Sequence, residues 1–311
     1  MKTFLTALVA ATLLVTLGTT ALAQPPQHLR GTLSLSGAWA IYPLAVKWGE
    51  AFTKKYPDVK LDISAGGAGK GMTDVLAGAV EIGMVSREVD RAEKAKGAFP
   101  IFIAKDGVFP TASAKNPALA QLQAKGLSVK TFTDIYITGR VTSWRQAVGG
   151  PHAPIHVYTR SDACGAASAW AATLGAYKQD DLKGIGVYGD PGLLETVRRD
   201  PLGLAYNNLS YVFSGDALAK GIVIVPIDAN KNGKVDPAER IDTREKAYAE
   251  IASGRYPGAR REYFVTKGAP KGLARAFIEF ALSDAGRKIL ESVGGYVPLS
   301  EKESAAELRR F

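Results

Sequence analysis

Short apolar runs along the chain alternate with segments whose apolar residues recur at helical spacing. A strand predicted at 33–35 is followed by a tight turn and by a helix whose apolar positions begin at Tyr42. The same order returns with a strand at 59–63, a glycine-rich turn at 66–71 and a helix at 72–79. Strands that alternate with helices in this way indicate an α/β fold with a largely parallel sheet.

The same spacing predicts elements along the rest of the chain. Further strands are predicted at 82–85, 99–104, 155–159, 184–188, 204–206, 222–227 and 263–265. Further helices are predicted at 133–138, 166–174, 245–253 and 272–282. After residue 104 the chain is rich in Ala, Ser and Pro, which predicts a loop up to Pro117.

The first 23 residues have the pattern of a secretory signal peptide. Lys2 is followed by an apolar run through Leu17 and then by small residues that end in Ala21-Leu22-Ala23. The apolar run is shorter than the roughly 20 residues that a membrane-spanning helix needs. No cysteine stands at the junction to receive a lipid. We therefore expect cleavage after Ala23 and export without a lipid anchor.

Composition excludes several classes of protein. The chain has 311 residues, of which 46% are hydrophobic and 22% charged, so it can bury a core, and its length favours two lobes over one. Its single cysteine and three histidines exclude an intramolecular disulfide and argue against a Cys- or His-rich metal centre. The net charge of +9 favours anionic partners. The basic residues are scattered without an aromatic platform, so nucleic-acid binding is not expected.

Three turns between a predicted strand and a predicted helix are rich in small residues. They are Ser36-Gly37-Ala38-Trp39, Gly66-Gly67-Ala68-Gly69 and Arg160-Ser161-Asp162-Ala163-Cys164-Gly165-Ala166. The first N–H groups of a helix have no intrahelical acceptor and lie at the positive end of its dipole, so such a turn can hold an oxyanion. A glycine turn can also simply end a strand, and taken singly each of the three allows that interpretation.

Arg160 makes the third turn the strongest candidate. Its guanidinium is a permanent cation with forked donors that suit a tetrahedral oxyanion, and we expect Asp162 to orient it. Ser86 and Arg87 follow another predicted strand and add a hydroxyl and a second cation. Ligands of open α/β sheets bind outside the carboxyl ends of the strands, so these segments are expected to converge on one cleft.

In this order the segments resemble the periplasmic phosphate-binding proteins of ABC transporters and the wider solute-binding superfamily. The resemblance runs from Gly31 to Ser300 and includes the segments 81–87, 104–108, 132–139 and 280–299. It implies an α/β fold of the two-lobe periplasmic-binding-protein type, with two crossover strands and a ligand cleft that closes by a hinge. One lobe would comprise 29–107 and 262–311, and the other 108–261.

The resemblance also implies a function and a set of ligand residues. The chain would capture phosphate and deliver it to an inner-membrane ABC permease, as a monomer without enzymatic activity or a cofactor for chemistry. The implied ligand residues are Ser36, Ala38, Trp39, Gly67, Ala68, Gly69, Ser86, Arg87, Arg160, Cys164, Gly165 and Ala166.

Two segments depart from the family's pattern. The family's Ser-Gly-Thr after its arginine reads Cys164-Gly165-Ala166 here, so two hydroxyl donors are missing. The family's carboxylate that accepts the proton of hydrogen phosphate corresponds to Ser86. Because such a carboxylate rejects a fully deprotonated anion, its absence leaves sulfate, molybdate and tungstate open as alternatives to phosphate.

A secreted phosphatase is a further alternative. Cys164 is the one candidate nucleophile, and a thiol at a helix N-terminus beside an arginine is expected to have a lowered pKa. The sequence offers it no base, because His152 and His156 lie upstream on another segment. A binding protein is therefore favoured over an enzyme.

The segment 228–239 matches the twelve-residue calcium-binding pattern of an EF-hand loop. Oxygen ligands would come from Asp228, Asn230, Asn232, the Lys234 carbonyl, Asp236 and a bidentate Glu239. A predicted strand enters the segment in place of a helix, so we expect a stabilising Ca²⁺ site and not a sensor. The alternative is an Asn-Gly turn that joins two elements.

Overall fold

The computed structural model describes residues 28–311, so the predicted signal peptide lies outside the described residues. Within the described part, no helix is long and apolar enough to cross a membrane. Up to residue 113 the elements are β1 (Gly31–Gly37), α1 (Tyr42–Lys55), β2 (Val59–Ala65), α2 (Ala68–Ala77), β3 (Ile82–Val85), α3 (Arg91–Ala95) and β4 (Ala98–Ser113).

The middle of the chain contains shorter elements. They are α4 (Leu119–Lys125), β5 (Leu127–Ser128), α5 (Val129–Thr133), a π-helical turn (Asp134–Thr138), α6 (Trp144–Val148), β6 (His156–Arg160), α7 (Gly165–Leu174), a 3₁₀ turn (Gln179–Asp181), β7 (Ile185–Val187), α8 (Gly189–Arg199), β8 (Gly203–Asn208), α9 (Leu209–Val212), β9 (Phe213–Ser214), β10 (Ala217–Leu218), β11 (Ile222–Ile224) and β12 (Ile227–Asp228). The last elements are α10 (Arg244–Ala252), β13 (Ala259–Lys267), α11 (Gly272–Leu282), α12 (Asp284–Val293) and α13 (Glu301–Leu308).

Side-chain caps and a glycine in the left-handed conformation account for the ends of several helices. Side-chain oxygens of Ser143, Thr243 and Ser283 each accept a hydrogen bond from the N–H three residues on, at the starts of α6, α10 and α12. At the other end of a helix, Gly78 takes a φ of +76° and ends α2. The helix α2 begins at Ala68, so the glycine turn predicted before it already forms its first turn.

One mixed sheet runs through the molecule. Its strand order is β2-β1-β3-β13-β4-β8-β6-β7, and β11 also pairs with β4. At one end β1 lies parallel to β2 and β3, and at the other β6 lies parallel to β7 and β8. The central strands β13 and β4 are antiparallel to each other and to their outer neighbours. The predicted parallel sheet is therefore present as two parallel halves on either side of an antiparallel pair.

Strand β4 is the first crossover strand. It pairs with β13 as far as Gly107, opposite Ala259, and then with β8 from Val108, opposite Asn208. The predicted loop after residue 104 is therefore wrong, because β4 continues to Ser113. Small residues at the end of β4 are buried on both faces, and this burial outweighs their preference for loops.

Two separate hydrophobic cores flank the crossover. The first packs Trp48 and Phe52 of α1 against the aromatic rings of β13 and α11. The second packs Trp170 of α7 against Phe132 and Tyr206. The chain passes from the first core to the second along β4 and returns along β13. Two bodies linked by two strands can move relative to each other about those strands.

Candidate functional site

The small-residue turns of the first core meet the Arg160 turn of the second. The Gly69 N–H donates to the Ala163 carbonyl at 3.0 Å. A Cβ atom on Gly67 would lie 2.5 Å from that carbonyl oxygen, and one on Gly165 would lie 2.1 Å from the Ser86 carbonyl oxygen. The structure thus brings these segments together in one cleft between the cores, in a closed arrangement that glycine makes possible.

Arg160 ends β6 at this cleft, and its side chain is fully buried. Its Nε and Nη2 atoms donate to the two carboxylate oxygens of Asp162 at 2.7 and 2.5 Å. Its Nη1 atom donates to Oδ2 of Asp190 at 2.6 Å. A guanidinium has five N–H donors, so these three bonds leave two N–H groups for a ligand. Asp162 orients the arginine as expected, whereas Asp190 was not expected from the sequence.

Asp190 is the second residue of α8 and is almost fully buried. Its Oδ1 atom accepts a hydrogen bond from Asn208 Nδ2 at 2.7 Å. Burial raises the pKa of Asp190, although the positive charge of Arg160 opposes the shift. The sequence does contain a signal, because Asp190 lies two residues after the end of a predicted strand. Gly189 and Pro191 beside it, however, indicate a turn and not a helix.

A chain of polar contacts joins Asp190 to the crossover strands. Asn208 accepts from Arg260 Nη2, which also donates to Asp106 Oδ2 at 2.6 Å. The Nε atom of Arg260 lies 3.1 Å from Glu262 Oε1. Burial raises the pKa of Glu262 well above its ordinary value, against the opposing charge of Arg260. Arg160, which contacts Asp190, is therefore connected through Asn208 of β8 to both strands that link the cores.

The backbone N–H groups of the predicted turns fall into two classes. Those of Ala38, Gly67 and Gly69 donate to the carbonyls of Met84, Gly37 and Ala163, at 2.9 to 3.0 Å. A second group has no protein acceptor within residues 28–311, and its members are Trp39, Ala68, Gly165 and Ala166. Four of the implied backbone donors are therefore available to an anion in this arrangement, and three are not.

The three remaining polar side chains of the implied set differ in position. Ser36 Oγ donates to Asp74 at 2.6 Å, and Ser86 is buried against Gly165. Arg87 donates to both carboxylate oxygens of Glu93, at 2.9 and 2.7 Å. The guanidinium of Arg87 is thus held by a carboxylate of its own lobe and does not join the Arg160 cluster.

Cys164 caps the N-terminus of α7, where its Sγ accepts from the Ala167 N–H at 3.4 Å. Burial raises the pKa of the thiol to about 12, so the lowered pKa expected from the sequence is wrong. Desolvation outweighs the attraction of Arg160 at this position. His156, the nearest histidine along the chain, is bonded to Asp200 at 2.7 Å.

The segment 228–239 forms a compact loop. Asp228 accepts from the N–H groups of Asn232 and Gly233 at 3.1 and 3.0 Å, and Glu239 accepts from those of Ala229 and Asp236 at 2.8 and 3.0 Å. Over residues 28–311, no three Asp, Glu, His or Cys side chains are clustered so as to hold a metal ion. A cation here would also need amide and carbonyl oxygens as ligands, and the calcium site stays a prediction.

Comparison with known proteins bears on the fold and the family. A family model described as a PBP superfamily domain matches residues 22–285. The chain is 27% identical to the phosphate-binding protein PstS of Bacillus subtilis, over 90% of this chain and 84% of that protein. It is 24% identical to protein SphX of Synechococcus elongatus, over 91% of this chain and 82% of that protein.

Solved structures show the same architecture. One from Clostridium perfringens, described as a phosphate ABC transporter substrate-binding protein with bound phosphate, has a TM-score of 0.72 and 26% identity over 87% of this chain and all of its own. An ABC-type phosphate transport receptor from Vibrio cholerae has a TM-score of 0.66 and, at 19% identity over 86% of this chain and all of its own, shows the fold alone. The predicted two-lobe fold is confirmed, and the chain belongs to the PBP superfamily.

Proposed function

We propose that this chain is a receptor that binds phosphate between its two lobes and delivers it to an ABC transporter. The observation that supports this most directly is the Arg160 guanidinium, which is buried at the interlobe cleft with two N–H donors left for a ligand. Four backbone N–H groups in the turns around it have no acceptor among the residues that the structure describes. Charged and backbone donors that converge in a water-poor cleft are suited to a dehydrated oxyanion.

Closure of two lobes would complete this site. We take residues 29–107 and 262–311 as one lobe and 108–261 as the other. The membership of the two hydrophobic cores supports this division, except that Val297 packs with the core of the second lobe. Trp39 and Ala68 offer N–H groups from the first lobe, and Gly165 and Ala166 from the second. An anion between them would hold the lobes together, and opening about β4 and β13 would release it.

Anion titration of the ligand-stripped mature protein tests the proposal. We expect one site that binds phosphate with micromolar or tighter affinity by isothermal titration calorimetry. A preference for sulfate, molybdate or tungstate would mean that Ser86 and the Cys164-Gly165-Ala166 segment redirect the site. Binding of none of the four anions would contradict the receptor function.

Substitution of Arg160 localises the binding. Lysine keeps the charge but lacks the fork, so Arg160→Lys should weaken phosphate binding by about tenfold or more. Arg255→Lys is the matched control, because Arg255 is exposed and donates to both oxygens of Glu250 in the same lobe. Unchanged affinity in Arg160→Lys would remove Arg160 from the site.

The phosphatase alternative makes a different prediction. Cys164 is buried with a raised pKa, and its Sγ accepts a backbone hydrogen bond. A receptor should bind phosphate in a one-to-one ratio and release none from a phosphomonoester. Sustained phosphate release by purified protein, abolished in Cys164→Ser, would favour the enzyme.

We also propose that residues 1–23 are removed on export and that the mature protein acts in the periplasm, as a monomer without a lipid anchor, beside an inner-membrane permease. The alanine-rich site at 21–23 supports this proposal. Intact-mass measurement of the protein from a periplasmic extract should give a chain that starts at Gln24. A mass that includes residues 1–23 or a lipid would contradict it.

We propose in addition that the loop 228–239 binds a structural Ca²⁺ ion. Its oxygen-rich composition and spacing support this, and the donor set of carboxylate, amide and carbonyl oxygens suits a hard cation. Added Ca²⁺ should raise the midpoint of thermal unfolding, and Asp228→Asn with Glu239→Gln should remove the rise. Glu245→Gln, on the neighbouring helix α10, is the control. An equal rise in both variants would place calcium elsewhere.

A further inference from the structure

The structure contains a carboxylate at the cleft that the family's pattern does not provide. The carboxylate expected to accept the proton of hydrogen phosphate is replaced by Ser86. Asp190 and Asp162, both buried, lie instead on either side of the Arg160 guanidinium. Either could take the place of the missing acceptor, so the question is which of them has acceptor capacity left.

The hydrogen bonds distinguish the two carboxylates. Asp162 accepts from Arg160 Nε, from Arg160 Nη2 and from the Gly189 N–H at 2.7, 2.5 and 3.2 Å. Asp190 accepts from Arg160 and Asn208 only, at 2.6 and 2.7 Å, among the described residues. Because an ionised carboxylate offers about four acceptor positions, Asp162 has about one left and Asp190 about two.

Asp190 also lies where the two lobes meet. The residue before it, Gly189, packs against the ring of Trp39, and a Cβ there would be 3.2 Å from that ring. Tyr211 donates its hydroxyl to the Trp39 carbonyl at 3.1 Å, which joins α9 of the second lobe to the same turn. Trp39 is one of the residues whose N–H is available to an anion. Asp190 therefore contacts Arg160 within its own lobe, while the residue before it contacts the turn of the opposite lobe.

We propose that Asp190 is a specificity-determining residue of the anion site, which accepts a hydrogen bond from the protonated oxygen of bound phosphate and thereby excludes sulfate. This inference rests on the proposed phosphate-binding function. Phosphate carries at least one O–H group near neutral pH, whereas sulfate carries none. Sulfate would place a bare oxygen against a buried carboxylate, with repulsion and no hydrogen bond to offset it.

The test compares the phosphate-to-sulfate affinity ratio of the mature protein and two variants. In Asp190→Asn, the ratio should fall by about tenfold or more, the size expected for one hydrogen bond to a charged group. Asp200→Asn is the control, because Asp200 is bonded to His156 at the opposite end of β6 from Arg160, and its ratio should equal that of the unmodified protein. If Asp190→Asn weakens both anions equally, Asp190 only supports the fold of Arg160 and the inference is overturned.

A second measurement needs no variant and can overturn the inference even if Asp190→Asn does not fold. Fluorophosphate has the shape and charge of hydrogen phosphate but no O–H group. The unmodified protein should bind phosphate at least about tenfold more tightly than fluorophosphate. Equal affinity would overturn the inference while leaving the receptor function intact. Failure to bind phosphate at all would instead contradict the receptor function.

Discussion

At the scale of single residues, the charge balance around Arg160 determines what the site can do. One guanidinium and two carboxylates are buried together, with side chains that are at most 5% exposed. Buried charges are tolerated when paired, and removal of one partner leaves the others without compensation. Arg160 is therefore required both by a ligand and by its two acidic neighbours.

Loss of the Arg160 side chain should destabilise the protein even without a ligand. Arg160→Ala leaves Asp162 and Asp190 buried without their main partner, and we expect the free energy of unfolding to fall by about 3–5 kcal/mol. Urea unfolding in phosphate-free buffer measures the change. Arg255→Ala, which removes an exposed ion-pair partner, should leave the free energy of unfolding nearly unchanged. Equal stability of the two variants would contradict the buried triad.

Cys164 should be inert in the native protein. Its thiol is 5% exposed with a pKa of about 12, so little thiolate is present near neutral pH. Iodoacetamide at about pH 8 should label the unfolded chain within minutes and the native chain more than about tenfold more slowly. Labelling is followed by mass spectrometry, with the protein in guanidinium chloride as control. Equal rates would show that the cysteine is exposed.

The sequence predicts some of these residues better than others. Arg160 and Asp162 are two positions apart, so their pairing follows from local geometry at the end of one strand. Asp190 lies 30 positions from Arg160, and only the packing of α8 against the sheet brings the two together. Arg87 was expected at the site because it follows a predicted strand end and carries a positive charge, but its guanidinium is bonded to Glu93.

At the scale of elements, the hydrophobic pattern predicts the helices that bury one face and the strands that are buried throughout. The strand at 82–85 and the helix at 272–282 have the bounds of β3 and α11. The missed elements have local residues that argue against them. Pro110 and the small residues around it indicate a loop, but they form the buried end of β4. Gly189 and Pro191 indicate a turn, but they begin α8.

The crossover strand β13 should make stability depend on pH through Glu262. Its folded pKa is raised by burial, so the folded state holds this proton more tightly than the unfolded state, and the free energy of unfolding falls as pH rises above the ordinary value of 4.5. In Glu262→Gln this contribution is absent. The unfolding free energy of the variant relative to the unmodified protein should therefore rise between about pH 5 and about pH 8.

Urea unfolding at several pH values measures this difference in unfolding free energy. The result is the slope of the difference against pH, not its value at any one pH. The charged or titratable groups that influence Glu262 include Arg260, Asp106 and Asp190, and they are common to both proteins. Glu279→Gln, on the exposed face of α11 beside Arg275, should give no slope. A flat difference for Glu262→Gln would show that Glu262 is ionised in the folded state.

At the scale of the whole molecule, two cores share one sheet and are joined by two strands. Strand and helix periodicity cannot show which strand continues from one core into the next, because both cores contain the same kinds of element. Only the family resemblance indicated that two strands cross from one lobe to the other. The closed arrangement was not predictable either, since it depends on how closely Gly67 and Gly165 approach the opposite lobe.

This close approach leads to a prediction about closure. A Cβ at residue 165 would lie 2.1 and 2.2 Å from the carbonyl and hydroxyl oxygens of Ser86, so Gly165→Ala should hold the lobes apart. Its φ is not positive and it begins α7, so alanine suits the helix itself and the lobe should remain folded. A smaller closed population weakens apparent affinity in proportion.

We therefore expect Gly165→Ala to bind phosphate about tenfold or more weakly, with an unchanged unfolding midpoint in ligand-free buffer. Small-angle scattering with saturating phosphate should show a larger radius of gyration than in the unmodified protein. Gly192→Ala is the matched control, since its Cβ would be 3.3 Å from a side-chain methyl of Val187 in the same lobe. If Gly165→Ala matched this control in affinity and radius, the approach of α7 to Ser86 would not be needed for binding, and the site would have to operate with the lobes apart.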